Sequence, residues 1–153
     1  MGEGFKQNYQ VTIGADFAVK RITDGDELYL FQIWDLSAQV AFKSIRNIYY
    51  KHTNGVILTY DLTSIQSYEN LHLWIKEFTA STNTTNVPGI IVGNKVDLQS
   101  DLDFTKSDII ADPFTVFKRY LGTTPQFYKT SALDGTNVDR MFNALIKLLI
   151  DTM

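Results

Sequence analysis

Apolar and polar residues alternate along the first part of the chain in the manner of paired strands. The segment Gln10 to Ile22 mixes β-branched with polar residues and predicts an extended strand. A turn-forming run follows at Thr23 to Asp26, in which Gly25 is free to adopt a positive φ. Glu27 to Trp34 is then dense in aromatic and branched side chains. Together these segments predict a β-hairpin.

The middle of the chain carries two short, continuous apolar runs, Gly55 to Tyr60 and Gly89 to Val92. Such runs are typical of strands covered on both faces, as in a parallel sheet. Between them, apolar side chains recur at helical spacing from Tyr68 to Phe78, which predicts a helix. A further helix is predicted over Phe114 to Leu121, and a last short strand at Phe127-Tyr128.

The end of the chain predicts an amphipathic helix. Thr136 and Asp139 have the spacing of a capping box, in which the hydroxyl of Thr136 would be the N-cap. One apolar stripe follows, made by Met141, Phe142, Leu145, Leu148 and Leu149. The polar tract Gln99 to Pro113 predicts a surface loop. Alternating strands and helices predict an α/β fold with a mostly parallel sheet.

Composition fits one folded domain over residues 1–153. The apolar fraction of 44% is enough for a buried core, which excludes a disordered chain. The formal net charge is −3 and the pI is about 5.3, with no basic run, so no nucleic-acid partner is expected.

The sequence contains no cysteine. Disulfides, thiolate metal sites and a cysteine nucleophile are thereby excluded, as is a lipid attached to cysteine within these residues. The longest apolar stretch, Leu145 to Ile150, is far too short to span a bilayer. We therefore expect a cytoplasmic protein with no direct membrane anchor in this sequence.

Four short motifs occur in a fixed order. The first two read VTIGADF, at Val11 to Phe17, and WDLSAQ, at Trp34 to Gln39. The last two read GNKVD, at Gly93 to Asp97 directly after an apolar strand, and TSA, at Thr130 to Ala132. Because ligands of open α/β sheets bind beyond the carboxyl ends of the strands, the third motif stands where a binding site is expected.

These motifs resemble those of the small GTPases of the Ras superfamily, in particular the Rab branch, and the resemblance covers essentially the whole chain. It implies a three-layer α/β/α fold of the P-loop NTPase type. It also implies a guanine-nucleotide switch that binds GTP or GDP with Mg²⁺ and hydrolyses GTP.

By this resemblance, GNKVD recognises the guanine base. Asp97 accepts hydrogen bonds from the guanine N1–H and N2–H₂ groups, Asn94 braces the loop, and the stem of Lys95 lies over the base. Adenine offers no matching donors, and a buried carboxylate without a partner is costly, so the choice of base follows.

Ser131, Ala132 and Leu133 complete the guanine-binding set that the resemblance implies. The backbone N–H of Ala132 would donate to the guanine O6. Leu133 stands where the family usually has lysine. Since leucine can cover the base but carries no charge, we expect base binding to be weaker but not abolished.

The two earlier motifs imply the phosphate and metal side of the site. Asp35 would hold Mg²⁺ through water, and Thr12 would ligate it directly and contact the terminal phosphate. The N–H of Ala38 would contact the terminal phosphate, and Gln39 would orient the attacking water. Ala38 replaces a glycine of the family, and alanine resists backbone angles that glycine allows. We therefore expect switching to be impaired more than binding.

The phosphate loop of the family, GxxxxGK followed by Ser or Thr, is not found, since residues 1–153 hold no Gly-Lys dipeptide. The resemblance begins after the family's first strand and helix, so the fold it implies is incomplete at the N-terminus. Without the loop, nucleotide and Mg²⁺ binding is expected to be weak or absent.

Two functions therefore stay open. One is a working GTPase whose effector or regulator proteins bind a switch surface that includes Ile13, Phe17, Trp34 and Tyr49. The other is a degenerate GTPase that acts without catalysis as a protein-docking module. The replaced residues Ala38 and Leu133 favour the second, whereas the intact base-recognition residues favour the first.

Overall fold

The computed structural model describes residues 13–82, 84–98 and 112–152. Thr12 lies outside the described residues, as does most of the predicted loop Gln99 to Pro113. The described chain forms two compact units, residues 13–52 and residues 53–152. Whether the chain is one domain, as its composition predicts, stays a prediction.

The first unit is built on a β-hairpin. Strand β1 (Ala15–Asp24) pairs antiparallel with β2 (Glu27–Leu36), from Ala15 opposite Leu36 to Asp24 opposite Glu27. Gly25, at φ 59°, takes the left-handed conformation that the tight turn requires. The predicted hairpin is confirmed over these residues. A 3₁₀ turn (Val40–Phe42) and helix α1 (Lys43–Tyr50) complete the unit.

The second unit contains a three-stranded parallel sheet. Its strands are β3 (Val56–Asp61), β4 (Gly89–Asn94) and β5 (Gln126–Lys129), in the order β3-β4-β5. The predicted α/β class with a parallel sheet is confirmed.

In the described residues, the second unit contains four helices. They are α2 (Ile65–Glu69), α3 (Leu71–Thr82), α4 (Pro113–Leu121) and α5 (Val138–Ile150). None of the helices in residues 13–82, 84–98 and 112–152 is long and apolar enough to cross a bilayer.

Two helix starts differ from the predictions. The helix predicted from Tyr68 to Phe78 is confirmed except at Asn70, where the chain divides into α2 and α3. The carbonyl of Asn70 accepts from the N–H of Leu73 at 3.0 Å and so begins the second helix. Pro113 was predicted in a loop but opens α4, where its fixed φ suits a first helical residue.

The capping box predicted for α5 is also wrong. Asn137, at φ 57°, is the N-cap, and no side chain caps the helix. Thr136 lies in the preceding turn, where its N–H donates to Asp134 Oδ1 at 2.8 Å. The side-chain amide of Asn137 donates to the carbonyl of Lys129 at 2.8 Å and so ties the start of α5 to the end of β5.

Strand β4 is the centre of the core, with Gly89 to Gly93 all buried. Ile90 and Val92 pack with Met141 and Leu145 of α5. Four residues of the apolar stripe predicted for α5 therefore pack in this cluster, namely Met141, Phe142, Leu145 and Leu149. A continuous apolar run rather than an alternating one is what a strand with both faces covered requires.

Candidate functional site

Two loops meet at the carboxyl edge of the parallel sheet. The loop after β4 and the loop after β5 are neighbours because their strands pair, with Gly93 opposite Lys129. The N–H of Thr130 donates to the carbonyl of Gly93 at 2.8 Å, and the N–H of Val96 donates to the carbonyl of Thr130 at 3.0 Å. These two bonds join the GNKVD and TSA motifs into one surface.

Asn94 links both loops through one side-chain oxygen. Its Oδ1 accepts from the Thr130 hydroxyl at 3.0 Å and from the Ala132 N–H at 3.1 Å. Its carbonyl accepts from the N–H of Leu62 at 2.9 Å, which adds the end of β3. Asn94 therefore links the two loops and the end of β3, while its role at a guanine base stays a prediction.

The N–H of Ala132 is the group predicted to donate to guanine O6. In the structure it donates to Asn94 Oδ1. A bound base would have to share this N–H or take it over from Asn94. The assignment of Ala132 stays a prediction.

Lys95 takes the left-handed conformation, at φ 69°, which is uncommon for a residue other than glycine. Its Nζ lies 2.7 Å from Oδ2 of Asp61, the last residue of β3. The sequence analysis assigned no functional role to Asp61. The signal lay in strand pairing, since β3 and β4 place Asp61 opposite Asn94, next to Lys95.

Both carboxylate oxygens of Asp61 have partners. Oδ1 accepts from the N–H of Thr63 at 2.8 Å and from its hydroxyl at 2.7 Å, while Oδ2 faces Lys95. Burial raises the pKa of Asp61, but the hydrogen bonds from Lys95 and Thr63 and the charge of Lys95 outweigh burial. The pKa therefore lies below its ordinary value, and Asp61 is a carboxylate at neutral pH.

Asp97 lies in a 3₁₀ turn (Val96–Leu98) directly after Lys95, and its side chain is half-buried. Among residues 13–82, 84–98 and 112–152, none donates a hydrogen bond to its carboxylate or pairs with it. A half-buried carboxylate without a partner is ready to accept hydrogen bonds from a ligand.

Ser131 organises the second loop from inside. It is fully buried, and its N–H donates to the carbonyl of Thr136 at 3.1 Å. Its hydroxyl accepts from the N–H of Asp134 at 3.3 Å, and its carbonyl accepts from the N–H of Gly135 at 2.9 Å. Since the Ser131 side chain is enclosed by its own loop, its guanine-binding role would be to shape that loop.

Leu133 and Leu98 offer apolar surface on the two loops, with exposures of 55% and 57%. Exposed leucines of this kind are suited to contact with a flat base.

The residues predicted for the phosphate side lie in the first unit. Asp35, Ala38 and Gln39 are all exposed. Ala38 does not adopt a positive φ, so the conformation seen does not demand glycine there. A carboxylate such as Asp35 is a hard oxygen ligand of the type Mg²⁺ prefers, which fits the predicted metal role.

Arg46 of α1 was missed by the sequence analysis. It is buried, and its Nη1 donates to the carbonyls of Ser37 and Gln39, both at 2.8 Å. The N–H of Ser37 donates in turn to the carbonyl of Gly14 at 3.0 Å. One guanidinium thus holds the backbone on both sides of Ala38.

The switch surface predicted from the resemblance includes three rings in contact. The centroid of Trp34 lies 5.2 Å from that of Phe17 and 4.4 Å from that of Tyr49. Ile13, also predicted here, is 82% exposed. These rings form an apolar surface on the hairpin and α1.

A parallel sheet with an NKxD loop after one strand and a TSA loop after the next defines the small-GTPase class of α/β fold. Comparison with known proteins agrees. A sequence model of the Ras family matches residues 1–151. The chain belongs to the Ras family.

Proteins of similar sequence also indicate the Rab branch of this family. The Ras-related protein Rab7 of Pisum sativum is 34% identical over 146 residues, which cover 94% of this chain and 69% of that protein. The Ras-related protein RABG3f of Arabidopsis thaliana is 35% identical with the same coverage. The GTP-binding protein yptV2 of Volvox carteri is 33% identical over 97% of this chain and 65% of its own length. This chain is Rab-like.

Proposed function

We propose that this protein binds guanine nucleotides and acts as a molecular switch. The observation that carries the proposal is the Asp97 carboxylate, half-buried and without a partner in the described part of the chain, beside loops that Asn94 holds together. Guanine presents N1–H and N2–H₂ donors that match two carboxylate oxygens, whereas adenine presents no such pair.

The remaining base-site residues have supporting roles in this proposal. The stem of Lys95 and the exposed side chain of Leu133 cover the faces of the base, and the N–H of Ala132 donates to its O6. Ser131 keeps the loop in shape. Leucine in place of the family's lysine gives apolar contact without a cation, so we expect lower affinity.

The phosphates would be bound with Mg²⁺ held by Thr12 and, through water, Asp35. The ion would neutralise phosphate charge, Ala38 would donate its N–H to the terminal phosphate, and Gln39 would orient the water for hydrolysis. Because residues 1–153 contain no Gly-Lys dipeptide, we expect these residues alone to bind phosphate weakly. Effector or regulator proteins would bind the rings of Phe17, Trp34 and Tyr49.

A second candidate is a docking module without catalysis. The exposed surface around Trp34 supports it, since that surface needs no hydrolysis to bind a partner. Ala38 also supports it, because alanine stiffens a peptide that must change conformation between nucleotide states.

The test is competition for a fluorescent GDP analogue by GTP, ATP and XTP, with Asp97→Asn as the informative variant. An asparagine offers one acceptor and one donor, which suits xanthine, because xanthine has a carbonyl where guanine has its amino group. The unaltered chain should prefer GTP over ATP and XTP. Asp97→Asn should weaken GTP binding by about tenfold or more and shift the preference to XTP.

The matched control is Asp151→Asn, which changes the same charge at an exposed residue beyond α5. It should compete as the unaltered chain does. Equal competition by ATP would contradict guanine recognition. No binding at any Mg²⁺ concentration would leave the docking module as the function.

A further inference from the structure

Lys95 forms an ion pair with the carboxylate of Asp61 and precedes a second carboxylate, Asp97, by two residues. Its Nζ lies 2.7 Å from Oδ2 of Asp61. Asp97 is two residues further along the chain, and within the described residues it has no ion pair. A lysine has a long, flexible stem and a compact charge, so its choice of partner depends on which carboxylate is better placed.

Hydrogen bonds that do not involve Lys95 hold the carboxylate of Asp61 in place. Thr63 donates two hydrogen bonds to Oδ1, at 2.8 and 2.7 Å, which leaves Oδ2 for the ammonium. The pairing of β3 with β4 sets Asp61 opposite Asn94 and therefore beside Lys95. Asp61 is also the less exposed partner of the pair, with 24% of its side chain exposed against 50% for Lys95.

We infer that Asp61 is a positioning residue for guanine selectivity: it holds the ammonium of Lys95 and so leaves the Asp97 carboxylate free for the base. Asp61 does not touch the base. If the ammonium were released, it would be drawn to Asp97, the nearest carboxylate along the chain, and would compete there with the guanine donors. This inference rests on the proposed function.

A purely structural role for Asp61 makes a different prediction. In that case the loss of Asp61 would loosen the ends of β3 and β4, and a further change at Lys95 could only leave GDP binding the same or weaken it. In our inference, GDP binding is weakened because the freed ammonium of Lys95 competes with the base for Asp97. Removing that ammonium, while keeping an unbranched stem of similar length, should therefore repair part of the damage.

The experiment measures the dissociation constant of the fluorescent GDP analogue for the full chain and three variants, all in Mg²⁺. Asp61→Asn should bind about tenfold more weakly than the unaltered chain, within the range of coupling between neighbouring charged groups. Asp61→Asn with Lys95→Met should bind more tightly than Asp61→Asn alone. Asp61→Glu, which retains the carboxylate, should keep most of the affinity and guards against a fold-wide effect.

Two results would overturn the inference: unchanged binding by Asp61→Asn, or no gain when Lys95→Met is added to it. The Asp97→Asn variant separates this failure from failure of the proposed function. If Asp97→Asn loses GTP preference while Asp61→Asn binds normally, only the role of Asp61 is wrong. If Asp97→Asn binds as the unaltered chain does, the base site itself is wrong and the inference falls with it.

Discussion

Arg46 and Asp61 show what single residues do beyond their motifs. The charged side chain of Arg46 is buried, and it donates hydrogen bonds to two backbone carbonyls of the first unit. Asp61 fixes the ammonium of the motif lysine. Neither role was predictable from the sequence, because each side chain acts on residues that only folding brings near. Asn94, Lys95 and Asp97 could be predicted as site residues because their order along the chain is itself the signal.

Replacement of Arg46 by methionine should loosen the segment Ser37 to Gln39. The variant removes the guanidinium that donates to the carbonyl of the buried Ser37. The free energy of unfolding should fall by about 1–3 kcal/mol. Urea unfolding measures the loss. Amide hydrogen exchange should show faster exchange at residues 37–42 than in the unaltered chain.

Arg21→Met is the matched control, because Arg21 is an exposed arginine on β1 of the same unit. It should change the free energy of unfolding by less than about 0.5 kcal/mol. Equal losses in the two variants would show that the burial of Arg46 contributes nothing.

At the scale of elements, the sequence predicted β2 from its aromatic and branched side chains, β4 from its continuous apolar run, and α4 and α5 from their apolar faces. The predicted helix boundaries were wrong where local turns and hydrogen bonds determine the first residue of a helix. Asn70 divides one predicted helix into two, and the turn before α5 occupies Thr136, so Asn137 becomes the N-cap. Helix α1 was not predicted from apolar periodicity, since a buried arginine interrupts its apolar pattern.

Gly89→Ala should destabilise the second unit. A Cβ at this residue would lie 2.3 Å from Cζ of Phe117 and 2.8 Å from Cγ2 of Val56, so α4 or β3 must shift. Overpacking of this kind costs about 1–3 kcal/mol. The measurement is the free energy of unfolding from urea titration followed by circular dichroism.

Gly55→Ala is the natural comparison. Its nearest side-chain contact would be Cδ2 of Leu149 at 3.0 Å, the far end of a flexible side chain that can move. The loss of stability should therefore be smaller than for Gly89→Ala. The opposite order would mean that α4 yields more easily than α5.

For the whole molecule, the sequence predicted the α/β class and the base-recognition loops, and the parallel sheet bears out the class. The roles assigned to Thr12, Asp35, Ala38 and Gln39 require a bound nucleotide and Mg²⁺, which strand pairing does not supply. Their roles therefore rest on the resemblance and on the proposal. The base-recognition loops differ in that strand pairing alone brings them together.

Ligand binding should be visible as a change in the stability of the whole chain. A ligand that binds only the folded state at 100 times its dissociation constant adds about 2.7 kcal/mol to the free energy of unfolding. GDP with Mg²⁺ should therefore raise the melting temperature, whereas ATP should not. Asp97→Asn should lose the response to GDP, and Asp151→Asn should keep it. A rise of equal size with ATP would contradict selective binding.

The two glycines of β4 determine how the strand can be aligned. At Gly89 the ring of Phe117 occupies the place of a side chain, and at Gly93 a Cβ would lie 2.8 Å from Cδ2 of Leu62. A slip of one residue would bring a larger side chain to both places and exchange the side chains between the two buried faces of the strand. Gly89 and Gly93 therefore fix the register of β4 at both ends. That register places Asn94 at the carboxyl edge of the sheet. A one-residue insertion within β4 would misplace the base site even if every residue of GNKVD remained.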